Sequence, residues 1–371
     1  MSSNFIDFVQ ANIKYFIGAG ILALNIISFY NYYSNKNNAN NNNNNNNINN
    51  NNNNTLGDSS PRDHPFRIKK IIIYPIKSCK GIEVRSCKID KYGFENDRRF
   101  MLIHQGRFMS QRTTPKMALI EPDISEDGQY LIINAKGQNE IRVKIGDTND
   151  KEIIKVGIWK DTVDVVDCGD QVSEWLTKFL DTEARLVTIA PGEYHRRVPE
   201  DYVDHIIEEP TEIDRDNYQF ALCDTSQVMI LSESSIDDIN MHIDAIRKEK
   251  KEKPRDPVTF SNFRPNILVS GYDCSPFEED RWEQIRISGL LLSRVAFTPR
   301  CKLTTVQPET GILDPYGDNE PLRTMETYRK FNGKLLFGAL FVHSNPIADG
   351  EELFVGNIID VLKINNKPYE K

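Results

Sequence analysis

The chain has 371 residues, 39% hydrophobic and 27% charged, with a formal net charge of −8. That length holds two domains or one large one, and the negative balance leaves no global basic field to attract nucleic acid. The six cysteines, at 79, 87, 168, 223, 274 and 301, form no C-x-x-C pair, and the six histidines have no zinc-binding spacing, which argues against a zinc site or a disulfide framework and for a reducing compartment.

The first apolar run is "YFIGAGILALNIISFYNYY", Tyr15 to Tyr33, about 19 residues without a charge. As a helix it would rise about 28 Å, close to the thickness of a bilayer core. Tyr30, Tyr32 and Tyr33 cluster at one end, where amphipathic rings favour the membrane interface. No small-residue cleavage motif follows, so residues 1–34 are expected to be a retained membrane anchor; a core helix is the alternative. Asn37 to Asn54 is nearly pure asparagine. It has nothing apolar to bury, so residues 35–65 read as a disordered linker.

From Phe66 the pattern is mainly β with a few packing helices. "RIKKIIIYPI", "IEVRSCKID", "RRFMLIH", "QYLIINA", "EIRVKIG", "EIIKVGIW" and "TVDVVDC" are short strands separated by Gly, Asp and Asn, which suggests a barrel or sandwich. "DQVSEWLTKFL" breaks the rhythm, because Val172, Trp175, Leu176 and Phe179 share one helical face. A second helix is expected over Ser235 to Lys250, with Ile236, Ile239, Ile243 and Ile246 on one face and a solvated, charged end. Strands return with "NILVSG", "EQIRISG", "LLSRVAF", "KLLFGALFVH" and "ELFVG". A boundary is expected near Arg185, giving domains 66–185 and 186–365.

Polar residues stand at strand ends in four stretches. In "YPIKSCKG", Lys77 and Ser78 follow a strand that a proline interrupts, and a cation beside a hydroxyl suits a phosphate. In "NDRRF", the alternation that buries Phe100 sends Arg99 to the opposite face. In "NFRPNILVSG", Arg264 precedes Pro265 and is expected to be extended, while Asn266 offers a bidentate amide. In "FTPRCKLTTVQPETG", Cys301 lies between Arg300 and Lys302. A thiol between cations should ionise readily, and the thiolate is both nucleophile and soft metal ligand. Each residue taken singly also admits a purely structural role, and spacing does not show that the stretches meet.

The ordered set "YPIKSCKG", "DRRF", "ALCDTSQVMILSESS", "NFRPNILVSG" and "PRCKLTTVQPETG" resembles the MOSC family, in particular its membrane-anchored amidoxime-reducing molybdenum enzymes. The resemblance covers Phe66 to about Lys363. It implies an N-terminal MOSC β-barrel domain, then a C-terminal, barrel-like MOSC domain, behind one membrane-anchor helix. It implies a molybdenum cofactor, molybdenum on a phosphorylated molybdopterin, with Cys301 as the thiolate on the metal. Lys77, Ser78, Arg99, Thr225, Ser226, Arg264, Asn266 and Arg300 would bind cofactor, with Arg98 able to exchange roles with Arg99. Asp224 would handle protons or stabilise a turn. Pro299 departs from the family, which carries a small polar residue there, and its missing N–H removes one hydrogen bond.

The implied activity is reduction of N-hydroxylated compounds such as amidoximes and hydroxylamines, with electrons from NADH through cytochrome b5 reductase and cytochrome b5. No G-x-G-x-x-G follows a strand, so those carriers would be separate proteins. The implied location is the mitochondrial outer membrane, facing the cytosol. A cofactor-binding or sulfur-carrier protein without turnover is the alternative, and under it Cys301 would carry sulfane sulfur.

Overall fold

Alternation of apolar and polar residues closes a small barrel. The computed structural model describes residues 66–192, 196–197, 219–343 and 351–369. In it the strands Ile153–Ile158, Asp161–Asp167, Arg185–Ile189, Phe100–His104 and Arg107–Phe108 form a closed ring. The first four pair antiparallel, Arg107–Phe108 turns back on Phe100–His104, and a parallel contact of Gly157 with Arg107 completes the circle. Closure leaves no open edge for another chain to pair with. Met101, Val156, Ile158, Val163, Val165 and Val187 fill part of its interior. Each such side chain contributes about 1.5–3 kcal/mol when fully buried.

The helix Asp170–Leu180 lies where the period changes, and it buries Val172, Leu176, Phe179 and Leu180. Trp175, on the same side, is only partly buried and donates its indole N–H to the Asn139 carbonyl at 2.6 Å. "QYLIINA" and "EIRVKIG" form no part of the ring. They make a separate three-stranded sheet, Glu121–Ile124, Tyr130–Asn134 and Ile141–Lys144, that packs beneath this helix.

Of the remaining strands, Glu352–Phe354, Ser86–Asp90 and Gly93–Phe94 form a separate three-stranded sheet, and Val306–Gln307 pairs with Ile312–Leu313. The others build one large sheet. Its spatial order is Ile82–Val84, Arg67–Ile73, Ile267–Ser270, Val228–Ser232, Lys334–His343, Leu290–Pro299, Trp282–Ile287 and Ile359–Ile364, with Lys330–Phe331 paired to the side. The central strands read as unbroken apolar runs because both faces are covered. Ile72, Leu231, Leu268 and Phe337 face the helix side, and Ile71, Ile230, Val269 and Phe341 face the other. Val228–Ser232 and Ile267–Ser270 run parallel, so a crossover must join them. The helix Glu233–Glu249 supplies it. Ser232 caps its N-terminus, and Ile236, Ile239 and Ile243 are buried against the sheet. Its charged end is not wholly solvated: Arg247 is buried and donates to the Lys253 carbonyl and to Asp318.

Barrel and sheet are interleaved along the chain. Arg67–Ile73, at the start of the folded body, pairs antiparallel with Ile267–Ser270, far away in sequence. The expected anchor (1–34) and linker (35–65) lie outside the described residues. Among the described residues no helix is long and apolar enough to cross a membrane.

Candidate functional site

The chain passes from sheet to barrel at Pro75–Lys80 and again at Asp97–Phe100, and the main chain stitches the two crossings together. Lys77 N–H donates to the Phe100 carbonyl at 2.8 Å, Phe100 N–H to Pro75 at 3.0 Å, and Arg98 N–H to Tyr74 at 2.8 Å. The "ALCDTS" loop joins the same seam, with Leu222 N–H donating to the Arg98 carbonyl at 3.0 Å. Ser78 adopts a left-handed φ of 66°, and its carbonyl accepts from the Gln111 amide at 2.7 Å. Both Lys77 and Ser78 are buried.

Lys77 Nζ donates to Asp224 Oδ1. Burial pushes the lysine pKa down, and Asp224 works against that shift. The Asp224 side chain is 54% exposed. What desolvation it has raises its pKa, but Lys77, the Trp159 N–H and Arg112 outweigh this and hold the carboxyl well below the usual carboxylate range. The Trp159 indole donates to the same oxygen at 2.9 Å. Asp224 is therefore an ionised counter-ion in this arrangement.

Cys301 follows the long strand Leu290–Pro299 in an extended conformation, and its free thiol is exposed. Arg112 Nη1 donates to Cys301 Sγ at 3.2 Å, and the Arg112 guanidinium lies 4.4 Å over the Trp159 ring. A continuous set of contacts thus links Cys301, Arg112, Trp159, Asp224 and Lys77. Arg112 and Trp159 carry no motif signal: Arg112 sits in a polar turn that reads as ordinary surface, and Trp159 reads as the end of an apolar strand.

The "FRPN" stretch differs from its expectation. Arg264 is not extended: at φ 60°, ψ 49° it closes the short helix Phe260–Phe263, with its N–H donating to the Phe260 carbonyl at 2.7 Å. A following proline disfavours the right-handed helical region, but the left-handed helix cap escapes that clash and gains a hydrogen bond. The Arg264 side chain is clamped over the Tyr74 ring at 4.2 Å, and Nη1 donates to the Cys79 carbonyl at 2.5 Å. Among the described residues its buried Nη2 has no partner, and burial lowers its pKa.

Asn266 does not present a free bidentate amide. Its Oδ1 accepts from Arg98 Nη1 at 3.0 Å and from Met229 N–H at 3.2 Å, and its Nδ2 donates to the Ile72 carbonyl at 3.2 Å. It ties three strands or strand ends together. The Ser226 hydroxyl is likewise committed, donating to the Phe341 carbonyl at 2.7 Å, while Thr225 beside it is half-buried. Of the paired arginines, Arg98 reaches this stretch, donating to Asp97, to Asn266 and to the Arg264 carbonyl. Arg99 turns away to Asp90, at 2.6 and 2.7 Å, and its buried Nη1 has no partner among the described residues.

Arg300 points under the sheet. It donates to the Phe337 carbonyl at 2.8 and 2.6 Å, and to the Phe263 carbonyl at 2.9 Å. Burial lowers its pKa to about 9, although Cys301 and Tyr74 oppose the shift. Gly338 makes the room, because a Cβ there would stand 3.4 Å from Arg300 Nη2 and 2.5 Å from Met229 Cε. Among the described residues, neither Arg264 nor Arg300 has a carboxylate partner. Buried charges are ordinarily paired, so Arg264, whose Nη2 also lacks a hydrogen-bond partner among the described residues, is the group left to seek an anion, while Arg300 spends its donors on main-chain carbonyls.

Comparison with known proteins agrees with this layout. Residues 65–183 match the MOSC N-terminal beta barrel domain and residues 217–359 match the MOSC domain. The chain is 34% identical over 268 residues to mitochondrial amidoxime reducing component 2 of Bos taurus, covering 71% of this chain and 72% of the relative. It is 35% identical to the Rattus norvegicus component 2 over the same shares of each chain. Against mitochondrial amidoxime-reducing component 1 of Homo sapiens it is 34% identical over 293 residues, 75% of this chain and 79% of the relative. The chain belongs to the MOSC-domain family, in the group of the mitochondrial amidoxime-reducing components.

Proposed function

We propose that the chain is a molybdenum-cofactor oxidoreductase that reduces N-hydroxylated compounds, amidoximes and hydroxylamines among them. The observation that carries the reading is the buried guanidinium of Arg264, with no carboxylate and an unpartnered Nη2 among the described residues, together with the exposed thiol of Cys301. A phosphorylated, sulfur-rich cofactor supplies both missing things: an anion for the cation and a soft metal for the thiolate. Two buried polar atoms without partners among the described residues, Arg264 Nη2 and Thr298 Oγ1, fit a ligand with many acceptors.

Cys301 would hold the metal, and Lys77, Ser78 and Arg264 would hold the phosphate and pterin, with Arg98 rather than Arg99 beside them. Thr225 and Ser226, beside Asp224, would line the same cradle. Arg300 and Asn266 would act from behind, keeping their strands in register through the main-chain bonds described above. When bound, the cofactor supplies a centre that exchanges two electrons. In the overall reaction two electrons and two protons enter, the N–O bond breaks, and water leaves with the amine or amidine. The protein's share is to bind, to orient and to fix charge. Asp224, ionised and half-exposed, is placed to hold a proton-bearing group of the substrate.

The electron donors in this reading are cytochrome b5 and its reductase, and the site of action is the cytosolic face of the mitochondrial outer membrane. The names of the relatives support amidoxime reduction and a mitochondrial setting. The exposure of Cys301 favours one other reading, a carrier holding sulfane sulfur on that thiol.

The test is to express the full chain in a host that makes the molybdenum cofactor, beside Cys301→Ala and Arg264→Gln. Near-stoichiometric molybdenum by elemental mass spectrometry is expected in the parent, with at least a tenfold (order of magnitude) loss of amidoxime reduction in both variants. A persulfide on Cys301 without molybdenum would support the carrier instead.

A further inference from the structure

The barrel reaches the thiol through two residues that no motif marks. Arg112, in the loop after Arg107–Phe108, donates from Nη1 to Cys301 Sγ at 3.2 Å. Its guanidinium is held at 4.4 Å over Trp159, at the tip of the hairpin between Ile153–Ile158 and Asp161–Asp167. Trp159 has a left-handed φ of 56°, which a non-glycine residue adopts only when its surroundings hold it there. Phe108 packs on its ring at 5.1 Å, and its indole N–H donates to Asp224 at 2.9 Å.

The tip is tied down a second time. Arg196 Nε donates to Asp161 Oδ2 at 2.9 Å, while its Nη groups donate to the carbonyls of Cys223 and Asp224. The indole face is therefore fixed relative to the "CDTS" loop, and Arg112 lies between that face and the sulfur. Cation–π contact and charge-assisted donation both favour this position over free solvation. Lys302, although adjacent to Cys301 in sequence, is exposed and makes no such contact.

We propose that Arg112 is a positioning residue for the Cys301 sulfur, that its N–H···S contact raises the reduction potential of the metal held there, and that Trp159 acts on the metal only through Arg112. This rests on the reading of Cys301 as the metal ligand. A donor to a metal-bound thiolate withdraws electron density from the sulfur, and a nearby cation favours the more negative, reduced state. Trp159 itself does not touch the sulfur. It removes the rotamer freedom that an exposed arginine would otherwise lose on making the contact.

The experiment is a redox titration of the molybdenum electron paramagnetic resonance signal in the full-length, cofactor-loaded chain. Parent, Arg112→Gln, Trp159→Leu and the double variant are compared, with molybdenum content measured on each. Arg112→Gln is expected to keep its molybdenum and shift the midpoint to lower potential. Trp159→Leu should shift it the same way by less, and the double variant should match Arg112→Gln alone. If Arg112→Gln fails to fold, Arg112→Lys carries the expectation: it keeps the charge, loses the planar fork and shifts part of the way.

An unmoved potential at parental molybdenum content, or additive shifts in the double variant, overturns the proposal while leaving the metal-ligand reading intact. Absence of molybdenum from a folded parent overturns the metal-ligand reading, and the proposal with it.

Discussion

Lys77 and Asp224 form an ion pair between unequal partners: the ammonium is buried and the carboxylate is half in solvent. Lys77 comes from the crossing into the barrel and Asp224 from the loop that leads into the central strand Val228–Ser232. The pair therefore spans the seam on which the site is built. Its strength is limited by exposure at the carboxylate end, but its loss strands a buried cation.

Asp224→Asn is accordingly expected to destabilise the fold by about 1–3 kcal/mol at neutral pH, the range for leaving a buried polar group without its partner. The pH dependence has a definite sign. The folded-state pKa of Asp224 lies below the ordinary carboxylate value, so its contribution is complete above that value and fades as pH falls through the depressed one. The gap in stability between parent and Asp224→Asn should thus be constant from about pH 6 upward and narrow below about pH 4. Urea unfolding of both proteins across that window measures it; a gap that widens in acid would contradict the pairing.

The strand arrangement yields a second prediction. Gly338 interrupts Lys334–His343 at φ +86°, and a Cβ there would lie 2.5 Å from Met229 Cε and 3.2 Å from the Ile230 carbonyl. The methionine end can move, but the carbonyl belongs to a neighbouring central strand. Gly338→Ala combines a left-handed conformation, about 1–2 kcal/mol, with overpacking, about 1–3 kcal/mol. A total loss of about 2–5 kcal/mol in denaturant unfolding is expected. Met229→Ala added to it should recover some of the steric part and none of the backbone part.

These positions show what the sequence carried and what it did not. The β-branched runs and the apolar faces of Asp170–Leu180 and Glu233–Glu249 are periodic signals, and they match the observed elements. Pairing partners are a different kind of information. Nothing local to "RIKKIII" says that it pairs with Ile267–Ser270 rather than with a strand of the barrel, because period sets which face is buried and not against what. The site divides in the same way. Cys301 and Lys77 stand out by chemistry at strand ends. Arg112 and Trp159 do not, since their importance comes from a contact between distant segments. Asn266 and Arg300 look like ligand-binding groups because amides and guanidiniums bind ligands, yet their bonds go to strand carbonyls. Polar residues needed to satisfy a buried main chain look the same in sequence as residues that face a ligand.

The last prediction concerns a buried acidic pair away from the site. Glu279 and Asp280 lie side by side in the turn before Trp282–Ile287, and both are almost fully buried. Arg329 donates to Asp280 at 2.6 Å, and the Tyr369 hydroxyl donates to it as well. Glu279 accepts from the Ser235 hydroxyl at 3.1 Å on Oε1, while its Oε2 has no partner among the described residues. Burial, reinforced by the adjacent Asp280, raises the Glu279 pKa. A carboxyl whose folded-state pKa is raised binds its proton more tightly in the folded than in the unfolded state. Stability therefore falls as pH rises from the unfolded value, about 4.3, through the raised one, and stays lower above it. Glu279→Gln cannot ionise, so it should be more stable than the parent at pH 8 and should lose that advantage near pH 4. Thermal unfolding of the two proteins at both pH values tests this. An advantage that is equal at pH 4 and pH 8 would show that the gain comes from packing rather than from the charge.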